Sequence, residues 1–334
     1  MAIAAATPTI TALHPPRVVE GGRLWLRGEH FPTPSTTESE VTIDGAPAHV
    51  SFAAADRLAV IVPREVEGGL VPVKVVWAPG ATLFVSMGLT VAAGVHQVDS
   101  PAFDAAGHLY VTYSGARGQE APVSIFRVAP NGGAREPFAT GIVNATSLAC
   151  GPDGHLYVSS RFEGRVYRVF EDGRSEVFAS ELGTACGLTF APDGSLFVGD
   201  RTGTIFQVHS DGRADRFAAL PSSIAAFHLA MGPDDAIYAT VPTLATYDYI
   251  YRIDADGKVE VIDATFGRPQ GLAFDAQGRL HVAEALAGES GIYRLPASGP
   301  RELVVSGPRL VGVAFAPDGS MAVAAPETVY RFTA

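Results

Sequence analysis

From residue 98 to the C-terminus, apolar runs alternate with short polar turns, and one phrase returns six times. An apolar run meets a Pro-Asp-Gly type turn and a second apolar run follows: PAFDAAGHLYVTY, LACGPDGHLYVSS, LTFAPDGSLFVGD, LAMGPDDAIYATV, LAFDAQGRLHVAE and VAFAPDGSMAVAA. The equivalent residues are Phe103, Cys150, Phe190, Met231, Phe274 and Phe315, spaced 47, 40, 41, 43 and 41 apart. Within a period, GLTF at 187–190 alternates small and large residues, the Asp193-Gly194 turn supplies a positive φ, and LFVGD at 196–200 returns. TIFQV at 204–208, a second Asp-Gly turn at 211–212 and ADRFAAL at 214–220 complete four strands. A period near forty built from short strands predicts a β-propeller with six four-stranded blades.

The last copy is one strand short, because the chain stops at Ala334 soon after TVYRF at 328–332. Residues 89–93 align with the outer strands of other periods. They are expected to close the ring as the outer strand of the last blade, covering an edge that would otherwise invite pairing with another chain. Residues 8–88 form a different module. RLWLRG, EVTIDG, AHVSF, LAVIVP, VPVKVVW and TLFVS alternate as a half-buried antiparallel sandwich does, each bounded by Gly, Pro or Asp. No helical periodicity appears anywhere.

The wording PTITALHPPRVVEGGRLWLRGEHF, then VTIDG, then IVP, resembles the immunoglobulin-like IPT/TIG domain. That resemblance implies a spacer or interaction module without catalysis. The repeats, of the form GLAFDAQGRLHVAE, resemble the NHL-type propellers and the six-bladed SMP-30/gluconolactonase-like family. The expected fold is therefore all-β: an immunoglobulin-like β-sandwich over residues 1–88, followed by a six-bladed β-propeller over residues 89–334.

The lactonase resemblance implies a divalent metal in the channel, held by a Glu-Ser-Pro motif on the first blade and by Asn or Asp residues on later inner strands. Asp99-Ser100-Pro101 stands where the first motif would. The other positions depart from the pattern: Cys186 precedes Gly187, Phe227-His228 occupies the fourth copy, and Thr146 the second. Calcium wants six or more oxygens with several carboxylates, so one Asp among Thr, Cys and Phe is a poor match. Asp99 is thus a metal ligand only if calcium, zinc or manganese is present.

Composition narrows the partners. The 334 residues are 47% hydrophobic and 18% charged, and no apolar stretch reaches the roughly 18 residues of a membrane helix. A net charge of −11 disfavours nucleic acid. MAIAAATPT lacks a basic region and a signal-peptide core, so the chain as written is expected to stay in the cytoplasm, where trimming would hide an export signal. Cys150 and Cys186 lie at different heights on adjacent inner strands, which argues against a disulfide.

Chemistry is expected at the face where inner strands begin and second strands end. Arg161, Arg201, Arg268 and Arg309 gather there, while Asp-Gly turns (Asp153, Asp193, Asp234, Asp235 and Asp318) occupy the opposite face. Bidentate arginine contacts suit a carboxylate or phosphate. Gln270, Asn144 and Tyr247, the last on a long connection, complete the candidate ligand-binding set.

Two readings stand. In one, this face binds a small anionic molecule or a peptide, with the sandwich as spacer or docking unit. In the other, the propeller is a lactonase-like hydrolase or lyase with an altered metal site, in which Asp99 anchors the cation and His228 or Glu284 acts as general base.

Overall fold

The computed structural model describes residues 7–32, 40–96, 99–225, 227–286, 288 and 290–334. Among these the protein is all-β, with no helix. The chain divides into two compact units: residues 1–89, 290–292 and 303–308, and residues 90–289, 293–302 and 309–334.

The N-terminal unit is a sandwich of antiparallel sheets. One sheet orders Thr9–His14, Arg23–Glu29, Arg57–Ile61 and His49–Ala54. The other contains Thr82–Met87, Gly69–Val75 and Val41–Ile43 as neighbours. Alternation decides what lies inside: Leu24 and Leu26 are buried while Arg23 and Arg27 are exposed. The inward set packs with Val41, Ile43, Leu58, Val60, Val73 and Val85 into one core.

The repeats form blades. Blade 1 runs Ala102–Phe103, Leu109–Thr112, Ile125–Val128 and Glu136–Ala139, from the inner strand outward. Blade 2 starts at Ala145–Cys150, blade 3 at Ala185–Phe190, blade 4 at His228–Met231 and blade 5 at Pro269–Phe274. Blade 6 has Gly312–Phe315, Met321–Ala325 and Thr328–Phe332, and its outermost strand is Leu89–Ala93, which precedes the first repeat in the chain. Each inner strand packs against the next, and that of blade 6 packs against that of blade 1, so the ring is closed.

Local chemistry explains the blade unit. Gly194 takes φ +89° in the first turn of blade 3, and Asp193 Oδ1 accepts a 2.8 Å hydrogen bond from Ser195 N. Aromatic rings wedge between blades. Tyr157 of blade 2 stacks edge-on against Phe190 of blade 3 at 4.9 Å, Tyr238 against Phe274 at 4.9 Å, and His281 against Phe315 at 4.8 Å. Cys150 and Met231 occupy the corresponding Phe position in blades 2 and 4.

Candidate functional site

Three residues before the Phe position, the six repeats carry Ser100, Ser147, Gly187, His228, Gly271 and Gly312. Neighbouring strands are very close here. A Cβ on Gly187 would lie 2.4 Å from the Phe227 carbonyl oxygen, and one on Gly271 2.7 Å from that of Val311. Where blade 4 carries His228 in place of this glycine, a side chain enters the channel.

In a ring of six, blade 4 faces blade 1. The His228 ring reaches that opposite wall, placing Nδ1 3.1 Å from Ser100 Oγ and Nε2 3.2 Å from Asp99 Oδ1. Ser147 Oγ donates to Ser100 Oγ at 3.3 Å, which ties the second blade into the same cluster. His228 Nε2 and Asp99 Oδ2 are both buried without a hydrogen-bond partner. His228 is 1% exposed and Asp99 8%. Burial pushes the Asp99 carboxyl above the ordinary carboxylate range, and the charges of His228 and Arg161 pull it part of the way back.

Cys186 lies beside this cluster. Burial pushes its thiol up to about 12; Asp99 adds to the rise, while a backbone hydrogen bond from Phe227 and the charges of Arg161 and Arg201 oppose it. At neutral pH it is a thiol and not a nucleophile. Arg161 is half-buried; Arg201 is exposed and donates from Nε to the Ser223 carbonyl at 3.2 Å.

Other candidates serve the scaffold. Glu284 is fully buried, and its carboxylate accepts from the backbone N–H of Gly267, Arg268 and Leu286 at 2.7, 2.8 and 2.9 Å. The carboxylate expected to act as a general base thus has both oxygens engaged by backbone N–H groups at the entry to blade 5. Asp200 is likewise engaged in blade 3, accepting from Thr184 N at 2.8 Å and from the Thr202 hydroxyl.

Asn144, buried with φ +50°, gives its amide to the carbonyls of Ser114 and Ala116 at 2.6 and 3.0 Å and accepts from Gly118 N at 2.7 Å. These bonds pin the long blade 1 connection and commit the side chain that was expected to touch ligand. Gln270 is buried, and its backbone carbonyl accepts from Thr240 Oγ1 at 2.5 Å. Arg268 and Arg309 are exposed and take no part in the contact between Asp99 and His228; Tyr247 is exposed on the blade 4 connection.

As for a metal, no group of three or more His, Cys, Asp or Glu side chains is placed to hold an ion among the described residues. Sequence reasoning named Ser100 beside Asp99 without giving it a role, and missed Ser147. The signal was present in their place in the repeat, level with His228.

Residues 8–90 match the IPT/TIG domain family. No curated protein matches the chain. Among solved structures, a gluconolactonase from Xanthomonas campestris superposes with a TM-score of 0.61 at 14% identity, covering 73% of this chain and 88% of that one. An auxiliary nutrient binding protein from Bacteroides thetaiotaomicron gives a TM-score of 0.58 at 12% identity over 98% of both chains. Virginiamycin B lyase from Staphylococcus aureus gives 0.51 at 14% identity, over 72% of this chain and 85% of that one. At such identities the likeness is one of fold, and that fold serves a binding protein and two kinds of enzyme.

Proposed function

We propose that the propeller binds a small anion, a carboxylate or phosphate carried on a compact molecule or a peptide, at the channel mouth above His228. The observation that carries this reading is the convergence of the Arg161 and Arg201 charges on one buried spot beside Cys186, in a chain of net charge −11. His228 spans the channel to Ser100 and Asp99, and its imidazole would add to the guanidinium groups in receiving an anion. Apolar side chains stand on nearby connections: Phe162, Leu244, Tyr247 and Leu286 are each at least 40% exposed and follow second strands. They suit the non-ionic part of the same ligand.

Thermal shift and calorimetric titration with citrate, gluconate and phosphate test it. Binding that weakens with added salt and is lost in an Arg161→Ala, Arg201→Ala double variant is the expected result. No response to any of the three, or equal responses in the double variant, would overturn it.

One contact favours a second reading. Ser100 Oγ, His228 Nδ1 and Asp99 stand in the order of a hydrolytic triad, with the carboxylate 3.2 Å from Nε2 but not hydrogen-bonded to it. In that reading Ser100 Oγ attacks an ester carbonyl as its proton passes to Nδ1. The alcohol leaves with that proton, and water then hydrolyses the acyl-serine. A burst of nitrophenol from 4-nitrophenyl acetate with acetylated Ser100, absent from Ser100→Ala, is its signature; no acyl-enzyme removes it.

A further inference from the structure

The opposite face of the propeller carries a second recess, away from the His228 cluster. Where the repeat places Phe, its ring fills the seam between two blades, as Phe190 does against Tyr157. Blades 2 and 4 replace that Phe with Cys150 and Met231, and both seams contain a cleft. The one at Cys150, against Tyr110 and Phe138, has a volume of about 70 Å³ and holds little more than water. The one at Met231, between blades 3 and 4, has about 280 Å³. An apolar cavity of about 150 Å³ already accepts benzene, so this one admits an aromatic ring with a short substituent.

Its lining states the chemistry. Phe197, Phe217, Met231 and Ile237 supply apolar walls, and Phe197 and Phe217 are locked together at 4.8 Å. Asp193, Asp235 and Asp254 supply carboxylates, and no Lys or Arg belongs to the lining. Asp193 Oδ1 is committed to Ser195 N, and Asp254 Oδ1 to Asp256 N and Lys258 N, within their own turns. Neither Asp193 nor Asp254 has a cationic partner among the described residues. An apolar recess edged by carboxylates complements a cation with an apolar body. A positive charge with an aryl or branched alkyl group would seat its hydrocarbon against Met231 and its nitrogen at the edge.

We infer that the seam between blades 3 and 4 is a binding site for a small organic ammonium ion, an aryl- or alkylamine, separate from the anion-binding mouth. The two sites lie on opposite faces and have opposite charge preference, so one does not depend on the other.

Calorimetric titration of the full chain with 2-phenylethylamine, benzylamine, benzyl alcohol and phenylacetate tests this. The two amines should bind, with benzyl alcohol about five- to tenfold weaker and phenylacetate weaker still, since rim charges in contact with water act at modest strength. Met231→Phe, which restores the repeat residue, should abolish amine binding and leave citrate and phosphate responses unchanged. Asp193→Asn with Asp254→Asn, which leaves the cavity open, should weaken the amines about tenfold and benzyl alcohol hardly at all. Equal amine binding in wild type and Met231→Phe would overturn the site. So would phenylacetate binding as tightly as 2-phenylethylamine, or no amine binding up to tens of millimolar in wild type.

Discussion

His228 Nε2 lies 3.2 Å from Asp99 Oδ1 across the propeller channel, although the two residues belong to facing blades and are 129 positions apart in the chain. The same imidazole reaches Ser100 Oγ of that wall through Nδ1 at 3.1 Å. The contact places a carboxylate in a buried spot that only partly compensates its charge.

Asp99 should therefore lower stability as it ionises. Its folded-state carboxyl is raised above the value of 3.8 it has when unfolded, so the native state holds the proton more tightly. That contribution is complete below the ordinary carboxylate value and is lost as pH rises through the raised one. Asp99→Asn removes this titration. Urea unfolding should show the variant gaining on wild type between about pH 3.5 and pH 8, with most of the gain above the ordinary carboxylate value. A stability difference that is flat over that range, or that favours wild type increasingly as pH rises, would contradict the burial argument.

Glu284 makes the reverse case, a buried carboxylate that stabilises the fold. Glu284→Ala leaves three backbone N–H groups of blade 5 without their acceptor, a loss of about 3–5 kcal/mol. Glu284→Gln keeps one acceptor oxygen and should lose less. Chemical denaturation separates the two. If Glu284→Gln instead kept full stability and abolished an ester hydrolysis, Glu284 would be a catalytic base after all.

These residues show what a sequence can and cannot say about such a molecule. The blade plan was legible because each repeat carries its own turn chemistry, as at Asp193-Gly194, and because Phe103 and its equivalents mark the period. Which side chains meet across the channel was not, since it depends on how the ring closes and which blades then face each other. His228 in a glycine position was the visible sign, but its partners were not visible. Glu284 was read as a site residue because it ends a second strand at the functional face, as Asp200 does in blade 3. Backbone amides of the adjoining turns claim them, and amide direction cannot be read from residue type. Backbone groups claim the Asn144 amide in the same way.

Asn144 offers a separable test of backbone and side-chain roles. Its φ of +50° suits Asn and Gly but strains Ala, and its amide holds the connection at residues 114–118. Asn144→Ala should lose both contributions, about 2–4 kcal/mol in all. Asn144→Gly should recover the backbone part and still loosen the connection. Limited proteolysis with a trypsin-like enzyme reads this directly at Arg117: cleavage there should accelerate in both variants. Protection equal to wild type in Asn144→Gly would show that the loop holds itself.

Gly312 tests how tightly the ring closes beside the site. A Cβ there would stand 2.1 Å from the Asp99 carbonyl oxygen and 2.8 Å from Pro101 Cδ, and neither is the end of a flexible chain. Gly312→Ala must therefore push the first inner strand away from the sixth, at a cost of about 1–3 kcal/mol or more. The same movement carries Asp99 away from His228, so the thermal response to citrate or phosphate should change along with the unfolding midpoint. Gly80→Ala, where an added Cβ meets nothing within 4 Å, is the matched control and should leave both unchanged. Wild-type stability in Gly312→Ala would mean that the first and sixth blades are not held at this spacing, and the channel geometry that brings His228 to Asp99 would lose its support.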